Sequence, residues 1–534
     1  MAVRGLGRLL LSLSLLAGCE GSLSQESPPR LVRVADGPVT LVGGGFATCS
    51  NQEKPREPRP DRWCAFARPN PATGTTELWT LRLSAALEGK APCDGQSPHC
   101  LRLTANLWTG QPVFAPSHPF VHGFDGDTLV FYTDSVTGNT DQPFQGPVSA
   151  WRVGGAQRVL TGAEGVYCIG QPRSDSIICI DAQTGSGADM EFDLRVGSLG
   201  AAAPGILPLI ERIRPYDSNG DLMWRVALSP DGKYLAYSTR AEEIKVERLK
   251  ALEVTSAGVT APTEIIRDIS DWQFLPGSEK VVFLRGYNYS ENGDASGILT
   301  IADFPSGANP TELFPRVGRY WLVGDPVTPQ GLGFFQDLRD FHGNFHIIPD
   351  TRRPQEVMAV APRVEDILVS PDLAYSVFHA EDGDTLSTVL LDNASSTRCA
   401  LGAKPEQLAF SVSFVDTPRR VLWMEDSDIE PVADEGWVAD PQDCSDKRRF
   451  SANLLHYETT RAGVVYGEKE GLSFDVMTLR YQQFQDGQLG PEGGVEIARG
   501  VDPIFSLIDR KYILFQVIAG PPEALGLYLY GPLP

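Results

Sequence analysis

The sequence has no excess of positive charge with which to bind a polyanion. Its 534 residues include 46 Lys and Arg against 68 Asp and Glu, for a formal net charge of −22. Nucleic-acid binding depends on clustered Lys and Arg that neutralise phosphates. Nucleic acid is therefore excluded as an expected partner, and the same charge gives no help in docking onto anionic lipid headgroups.

Long hydrophobic runs are missing too. No stretch approaches the roughly 18 uninterrupted apolar residues typical of a transmembrane helix, and residues 9–16 form a run too short to cross a bilayer. Hydrophobic residues make up 42% of the chain and charged residues 21%, which is typical of a globular protein and not of a disordered one. Beyond its first residues the chain is predicted to be soluble.

Enzyme signatures are also missing. The sequence contains no G-x-S-x-G, H-E-x-x-H or P-loop motif, and no G-x-G-x-x-G in a strand-to-helix context. These motifs position a nucleophilic serine, a catalytic zinc ion, phosphates or a dinucleotide. The closest local histidine pair, His342 and His346, straddles a loop and the start of a strand. Such a pair is more typical of structural or surface histidines than of a zinc site.

The N terminus carries a recognisable export pattern. Arg4 and Arg8 precede an apolar run, which ends in Leu16-Ala17-Gly18-Cys19. This arrangement resembles the signal peptide and lipobox of bacterial lipoproteins. The resemblance implies a signal peptide over residues 1–18 and acyl chains on Cys19 that anchor the chain to a membrane. An ordinary secretory signal with an incidental cysteine is the alternative.

The segment that follows Cys19 is a predicted tether. Residues 19–30 are polar and end in a proline-rich stretch, and residues 31–534 form the predicted folded domain. Glu20 stands where lipoprotein sorting rules often place an Asp that retains the protein in the inner membrane. The resemblance therefore implies a bacterial cell-envelope location, periplasmic or surface-facing, with the outer membrane favoured.

Eight cysteines remain after Cys19, an even number in a chain predicted to leave the cytoplasm. Two of them lie in apolar runs on either side of a polar turn, which would place them opposite each other on a hairpin. Two further pairs bracket short loops, and the last pair follows by elimination. Metal binding is less favoured because no C-x-x-C occurs. The predicted disulfides are Cys49–Cys64, Cys93–Cys100, Cys168–Cys179 and Cys399–Cys444.

A polar turn followed by a short apolar strand recurs along the chain. It is sharpest at residues 228–237, LSPDGKYLAY, and several of the spacings between copies lie between 43 and 52 residues. The other copies start at residues 124, 171, 275, 369, 415 and 507. A β-rich repeat of this period predicts a β-propeller with four strands in each blade. The chain is thus expected to be a single all-β domain, although its length alone would suit three or four domains.

The copy Ser229-Pro-Asp-Gly-Lys-Tyr-Leu-Ala-Tyr237 resembles the WD-like repeat of the periplasmic TolB protein and of other bacterial propellers. Ser370-Pro371-Asp372 matches it in part. The resemblance implies the propeller fold over most of the mature chain. It does not imply one activity, because propellers host many unrelated functions.

The pattern also predicts the size and closure of the ring. Eight blades are favoured, within a range of seven to ten. The last blade is one strand short, and residues 31–35 resemble the fourth strands of other blades, so they are expected to complete it and close the ring. The best helical candidate, residues 206–213, is short enough to be a connecting segment.

Several long polar loops map to one face of the predicted propeller, among them the acidic residues 425–446. Cys444 falls in that loop, whereas Cys399 follows a turn on the opposite face, so their pairing requires the loop to fold down the side of the ring. Mixed acids and aromatics suit a sugar or a peptide, although solvated loops are the simpler interpretation. The candidate residues are Asp134, Tyr287, Tyr289, Asp294, Asp340, His342, His379, Glu381, Asp382 and Trp437.

No cofactor is predicted from the sequence, and a calcium site is the one alternative. Asp217, Asn219 and Asp221 place oxygen ligands at alternate positions. The segment departs from the EF-hand pattern, since its Gly is at the fourth position and no terminal Glu follows at the required spacing. A simple turn that opens a blade explains the same residues.

Three functions fit these features. The favoured one is a monomeric, lipid-anchored envelope protein that binds a protein or a polysaccharide on its loop-rich face without catalysis. The second is a propeller hydrolase or lyase that acts on glycans with carboxylates from several blades. The third is a TolB-like component of an envelope complex.

Overall fold

The computed structural model describes most of the chain from residue 29 onward. The described residues are 29–41, 49–50, 62–91, 93–107, 122–125, 127–132, 137–139, 142–162, 165–170, 176–184, 191–199, 206–214, 226–229, 232–240, 247–255, 258–276, 279–290, 293–324, 329–382, 385–402, 409–416, 419–426, 434–471, 474–485, 488–489 and 493–533. The predicted signal peptide, Cys19 and nearly all of the predicted tether lie outside them.

The described chain is built almost wholly from strands, with one short helix, α1 (Leu83–Leu87), and one 3-10 turn (Pro522–Ala524). In its first half the strands are β1 (Arg30–Asp36), β2 (Thr40–Leu41), β3 (Trp63–Asn70), β4 (Thr75–Arg82), β5 (Cys100–Thr104), β6 (His122–Asp125), β7 (Thr128–Tyr132), β8 (Thr137–Asn139), β9 (Gln142–Gln145), β10 (Val148–Arg152), β11 (Gln157–Val159), β12 (Gly165–Gly170), β13 (Ser176–Thr184), β14 (Glu191–Ser198), β15 (Leu209–Ile213), β16 (Val226–Leu228), β17 (Tyr234–Arg240), β18 (Glu247–Thr255), β19 (Gly258–Val259) and β20 (Thr263–Phe274).

The second half continues the same pattern of short antiparallel strands. They are β21 (Lys280–Tyr289), β22 (Ala295–Asp303), β23 (Thr311–Gly324), β24 (Pro329–Arg339), β25 (His342–Ile348), β26 (Met358–Val364), β27 (Ile367–Val369), β28 (Tyr375–Asp382), β29 (Thr385–Asp392), β30 (Arg398–Ala400), β31 (Ala409–Asp416), β32 (Arg419–Glu425), β33 (Asp434–Asp440), β34 (Asp443–Thr459), β35 (Gly463–Lys469), β36 (Met477–Gln485), β37 (Gln488–Leu489), β38 (Val495–Ile508), β39 (Tyr512–Val517) and β40 (Gly526–Gly531).

Antiparallel pairing groups these strands four at a time, and the described residues contain ten such units. Units 1, 2, 3 and 7 are separate sheets, formed by β2–β5, by β6, β7, β10 and β11, by β12–β15, and by β27–β30. Units 4–6 share the sheet from β16 to β26, and units 8–10 share the sheet from β31 through β40 to β1. A succession of four-stranded units of this kind is the β-propeller architecture that the repeat predicts. The favoured number of eight blades is lower than the ten units described.

The shared sheets arise because one long strand serves two units. β20 pairs with β18 through its first half and with β21 through its second half, and β23, β34 and β38 act in the same way. The backbone bends at these transitions, and Asp268, Asp271, Arg316 and Gly500 all have positive φ there. These strands pass from one unit to the next without a turn sequence, which is why the boundaries are hard to see in the sequence.

Hydrophobic clusters hold successive units together, one at each of the ten junctions in the described part. Between units 3 and 4, for example, Phe192 packs in one cluster with Tyr237. Phe66 of unit 1 likewise shares a cluster with Leu514 of unit 10. Burial of one such side chain contributes about 1.5–3 kcal/mol, so each junction is a substantial part of the stability.

β1 completes unit 10. Leu31 lies opposite Tyr530 and Val32 lies opposite Leu529, so the strand predicted over residues 31–35 pairs with the last strand of the chain as expected. At the same junction Arg62, whose side chain is 3% exposed, donates two hydrogen bonds to the carboxylate of Asp509. We call the junction of units 1 and 10 the seam.

The repeated turn has a specific hydrogen-bond pattern. In unit 7 the Ser370 hydroxyl oxygen accepts a hydrogen bond from the Tyr375 backbone N–H (2.9 Å) and donates one to Asp372 (2.7 Å). In unit 4 Ser229 accepts the equivalent bond from Tyr234 (3.0 Å). The turn therefore closes through the serine and starts the second strand of its unit, as the sequence pattern predicts.

Three of the predicted disulfides are present: Cys49–Cys64, Cys93–Cys100 and Cys168–Cys179. Cys168 lies directly opposite Cys179 on the β12–β13 hairpin, as the spacing predicts. Cys399 is also disulfide-bonded. The side chain of its predicted partner, Cys444, lies outside the described residues, so that pairing stays a prediction.

Two expectations about local structure are wrong. Residues 425–446 are not one loop, because Asp434–Asp440 forms β33 and Asp443 starts β34. Burial alternates along Gly436, Trp437 and Val438, as it does in a strand with one face on the core. The segment therefore forms a strand although its composition is acidic. β30 and β34 therefore start at the same face of the ring, and Cys444 does not sit on the opposite face from Cys399. The helical candidate is wrong as well, since Leu209–Ile213 is the strand β15.

None of the helices in the described part of the chain is long and apolar enough to span a membrane.

Candidate functional site

The ten units share one orientation, which defines two faces. In each unit the chain turns from the second to the third strand at one end, and the link from the fourth strand to the next unit is at that same end. We call this end the upper face. The opposite end, with the turns between the first and second strands and between the third and fourth strands, is the lower face.

The structure brings four of the ten predicted residues together on the upper face. Tyr287 and Asp294 belong to the hairpin of β21 and β22 in unit 5, and Asp340 and His342 belong to the hairpin of β24 and β25 in unit 6. We call this group, with Gly293 and Phe341, the 5–6 corner. It consists of Tyr287, Gly293, Asp294, Asp340, Phe341 and His342.

Backbone and side-chain hydrogen bonds join the two hairpins of the 5–6 corner. The Asp340 N–H donates to Asp294 Oδ1 at 3.0 Å, and the Phe341 N–H donates to the Gly293 carbonyl at 3.4 Å. Ala295 also pairs with Leu338, so β22 of unit 5 touches β24 of unit 6. The polar groups of the corner are thus positioned by strands of two units and not by free loops.

Phe341 occupies an unfavourable backbone conformation at the tip of its hairpin. Asp340 and Phe341 form the two-residue turn between Arg339 and His342, with φ values of 49° and 64°. Turns of this kind favour Asn-Gly or Asp-Gly, because a side chain in the left-handed region costs about 1–2 kcal/mol. A bulky aromatic residue there is uncommon, and strain of this kind is concentrated at functional sites.

The Phe341 ring is 49% exposed and lies over Gly293. A Cβ atom at Gly293 would lie 2.7 Å from the ring, so only glycine leaves space for it, and the positive φ of Gly293 (80°) favours glycine independently. One face of the ring is therefore packed on the backbone of unit 5. An aromatic ring held in this way can act as a flat binding platform at little entropic cost.

The polar groups around Phe341 keep bonding capacity for a ligand. His342 Nδ1 lies 2.7 Å from the Asp340 backbone carbonyl and donates to it in the neutral tautomer, which leaves Nε2 as an acceptor. Asp294 uses one carboxylate oxygen for the Asp340 N–H. The Asp340 carboxylate is exposed and has no partner in the described part of the chain.

An ion pair that the sequence did not suggest supports this corner. Arg316 Nε lies 3.0 Å from Asp337 Oδ1, and both residues have positive φ. The pair joins the link that enters unit 6 to the hairpin that carries Phe341. Neither residue stands out in the sequence, because Arg316 and Asp337 are separated along the chain and only the fold brings them together.

Two other predicted residues have structural roles between units. His379 in β28 lies 3.1 Å from the Thr388 hydroxyl, which in turn exchanges hydrogen bonds with the backbone of Ala409 in unit 8. Trp437 lies opposite Trp423 within the sheet of unit 8 and packs against the cluster between units 7 and 8. Neither side chain belongs to the 5–6 corner.

The remaining predicted residues cannot be placed as side chains. Glu381 and Asp382 lie in β28 and Tyr289 lies in β21, but their side chains are outside the description. Asp134, Asp217, Asn219 and Asp221 fall outside the described residues altogether. The described residues hold no group of three or more His, Cys, Asp or Glu side chains that could bind a metal ion.

The upper end of unit 8 carries a separate acidic group. Glu425 is fully buried and accepts a hydrogen bond from Trp423 Nε1 at 2.5 Å. Burial raises the pKa of the nearby Asp434, and the charge of Asp426 raises it further. Burial lowers the pKa of Lys447, although Glu425 acts in the opposite direction. Glu425, Asp426 and Asp434 belong to the acidic segment 425–446 that the sequence singled out, and Lys447 follows it.

The 5–6 corner can bind a ligand through one exposed ring, two carboxylates and one imidazole. The ring suits the apolar face of a sugar or an apolar side chain, and the polar groups suit hydroxyl or amino groups.

Comparisons with known proteins do not supply a family. No protein-family model matches the chain, and no curated protein matches it. A eukaryotic initiation factor structure has 13% identity and a TM-score of 0.45, with 83% of this chain and 96% of that chain covered. A puromycin hydrolase structure has 15% identity and a TM-score of 0.33, with 73% of this chain and 58% of that chain covered. The β-propeller domain of the Trilobed protease from Pyrococcus furiosus has 12% identity and a TM-score of 0.29, with 61% of this chain and 97% of that chain covered.

Proposed function

We propose that this chain is a lipid-anchored protein of the bacterial cell envelope whose 5–6 corner binds a partner without catalysing a reaction. The anchor is supported by the resemblance of Leu16-Ala17-Gly18-Cys19 to a lipobox. The binding role is carried by one observation, the exposed Phe341 ring on a strained turn. The protein keeps a bulky aromatic residue where glycine would be easier to accommodate, and a ligand that stacks on the ring would explain this.

The favoured partner is a polysaccharide, with a protein as the other possibility. A sugar presents C–H groups on one face, which stack on an aromatic ring, and hydroxyl groups at its edge, which bond to Asp294, Asp340 or His342. The net charge of −22 favours a neutral or cationic polymer over an anionic one.

Binding fits the corner better than hydrolysis does. Acid–base cleavage of a glycosidic bond needs two carboxyl groups that flank the bond, about 5–10 Å apart, in a site that controls water. Here the Asp294 and Asp340 side chains are exposed, and the Asp294 carboxylate is held by the backbone N–H of Asp340. A glycan hydrolase and a TolB-like component of an envelope complex are the alternatives, and the experiment below includes a test of the hydrolase.

The test compares two exposed aromatic residues on the same face. Phe474, in the turn of unit 9, is 52% exposed and matches Phe341 in type and exposure. A Cys19→Ala form, expected to leave the membrane fraction, would be purified and assayed for co-sedimentation with isolated envelope polysaccharides. Loss of one stacking ring should weaken polysaccharide binding about tenfold in Phe341→Ala and leave it unchanged in Phe474→Ala.

Phe341→Gly provides the folding control, because glycine suits this turn and removes the ring without adding strain. It should bind as weakly as Phe341→Ala while it unfolds at no lower denaturant concentration than the wild type. Equal binding by the wild type and both Phe341 variants would overturn the proposed site. Release of reducing ends during the assay would establish the hydrolase in its place.

A further inference from the structure

A cavity of about 360 Å³ opens on the lower face between units 8, 9 and 10. It is lined by the lower ends of β31, β34 and β38, the first strands of these units, and by the turn after β38. It is therefore remote from the 5–6 corner, which lies on the upper face of units 5 and 6. A volume of this size is at the lower end of the range for small-molecule sites, about 300–1,000 Å³.

The walls of this cavity are fixed by interactions that do not involve a ligand. The Tyr457 hydroxyl donates to the backbone carbonyls of Ser411 and, at 3.1 Å, of Leu422. The Asp509 carboxylate is held by Arg62 across the seam. A ligand would therefore meet a surface that is already in place, which lowers the entropic cost of binding.

The turn that carries Arg510 is also fixed. Asp509 and Arg510 both have positive φ (54° and 55°), and the Lys511 N–H closes the turn on the Ile508 carbonyl at 3.0 Å. Because its neighbour Asp509 is tied to Arg62, Arg510 has a defined position at the rim of the cavity.

The cavity contains two opposite charges, Glu458 and Arg510, that do not pair with each other. The Arg510 guanidinium forms no ion pair or hydrogen bond in the described part of the chain, although it lines a cavity that also contains carboxylates. The nearest basic group to the Glu458 carboxylate is His456 Nε2 at 3.7 Å, and that histidine is half exposed. The Asp509 charge is already neutralised by Arg62. Glu458 and Arg510 are thus an acid and a base that share one cavity without pairing with each other.

We propose that this cavity binds a small zwitterion, a short peptide with both ends unblocked. The Arg510 guanidinium donates paired N–H hydrogen bonds to the carboxylate of the ligand, and the Glu458 carboxylate accepts hydrogen bonds from its ammonium group. A ligand with one charge alone would leave Glu458 or Arg510 without a partner. The site is independent of the proposed function of the upper face.

Isothermal titration calorimetry with a small panel of unblocked dipeptides tests this proposal. Each dipeptide that binds would be titrated again in its N-acetylated form and in its C-terminal amide form. In the wild type each blocking group should weaken binding about tenfold or more, because it removes a charge-assisted contact. In Arg510→Gln the amide should bind as well as the unblocked dipeptide, since the carboxylate has lost its partner. In Glu458→Gln the acetylated form should do the same.

The matched control is Arg499→Gln, an exposed arginine that is paired with Glu496 near the upper face. It should bind every ligand as the wild type does. Unchanged denaturation midpoints of the two cavity variants would show that they fold. Two results would overturn the proposal: no saturable heat with any unblocked dipeptide, or blocking groups that weaken binding equally in the wild type and in both variants.

Discussion

His346 shows how one side chain makes stability depend on pH. It stacks on Phe334 with ring centroids 5.2 Å apart, and its Nε2 atom is buried without a partner in the described part of the chain. Burial lowers the pKa of His346 from its ordinary value of 6.5, although the charge of Asp337 acts in the opposite direction. The folded protein therefore holds this imidazole in its neutral form at pH values where the unfolded chain protonates it.

The direction of the effect follows from this difference. Below pH 6.5 the unfolded chain binds a proton at His346, whereas the folded chain keeps this imidazole neutral. The contribution of His346 to the free energy of unfolding is therefore complete above this pH and is lost as the pH falls. His346→Phe keeps an aromatic ring on Phe334 and removes the titration. From about pH 7 to about pH 5, the free energy of unfolding in urea should fall more for the wild type than for His346→Phe. Equal losses would show that this histidine does not contribute.

The same scale shows what sequence reasoning can find at the 5–6 corner. Asp340 and His342 are candidates from composition alone, because acids and histidines in a turn attract attention. Phe341 lies between them but is not a candidate from composition, because an aromatic residue is by default assigned to the core. Its importance depends on a positive φ and on contact with Gly293, 48 residues earlier, and neither can be read from local sequence.

At the scale of elements, the serine turn explains why the repeat is visible. Its hydrogen bonds join residues five apart, as Ser370 and Tyr375 show, so the pattern is local and leaves a local signature. The links between units 4, 5 and 6 leave none, because β20 and β23 continue from one unit into the next. The favoured number of eight blades is below the ten units of the described part, and the predicted range of seven to ten includes that number.

The serine turn also makes a testable contribution to stability. Ser370 is buried, and Ser370→Ala removes its hydrogen bonds to Tyr375 and Asp372. The free energy of unfolding should fall by about 1 kcal/mol. This would be measured as a lower urea midpoint with an unchanged dependence of that free energy on urea concentration. The exposed Ser306 bonds only within its own turn, so Ser306→Ala should change stability by less than about 0.5 kcal/mol. Similar effects of the two substitutions would mean that the turn does not depend on the buried serine.

At the scale of the whole molecule, the seam is the junction that chain connectivity protects least. β1 and β2 follow each other, but β40 and β1 belong to opposite ends of the chain and are held by pairing, packing and the buried Arg62–Asp509 pair. In a repeat protein each unit contacts only its neighbours, so local weakening opens the structure at that junction first.

Arg62→Met tests the seam, because it leaves the Asp509 carboxylate without its partner. Loss of one member of a buried pair should cost about 3 kcal/mol, and the double variant Arg62→Met with Asp509→Asn should cost less. Amide hydrogen exchange should rise in β1, β39 and β40 and stay unchanged in β21 and β22. Arg267→Met, which breaks an exposed pair with Glu264, is the control and should have little effect. A uniform rise in exchange across all units would contradict a local role.

The direction of β1 also decides how the ring would stand on a membrane. As the fourth strand of unit 10 it runs from the lower to the upper face, so Arg30 and its partner Gly531 both lie at the lower face. Residues 19–29 can span at most about 40 Å. With the lipid proposed on Cys19, the lower face turns toward the bilayer and the 5–6 corner faces away from it. A polymer would then approach from the open side, whereas a dipeptide would reach its cavity from the bilayer side, across a space of at most about 40 Å.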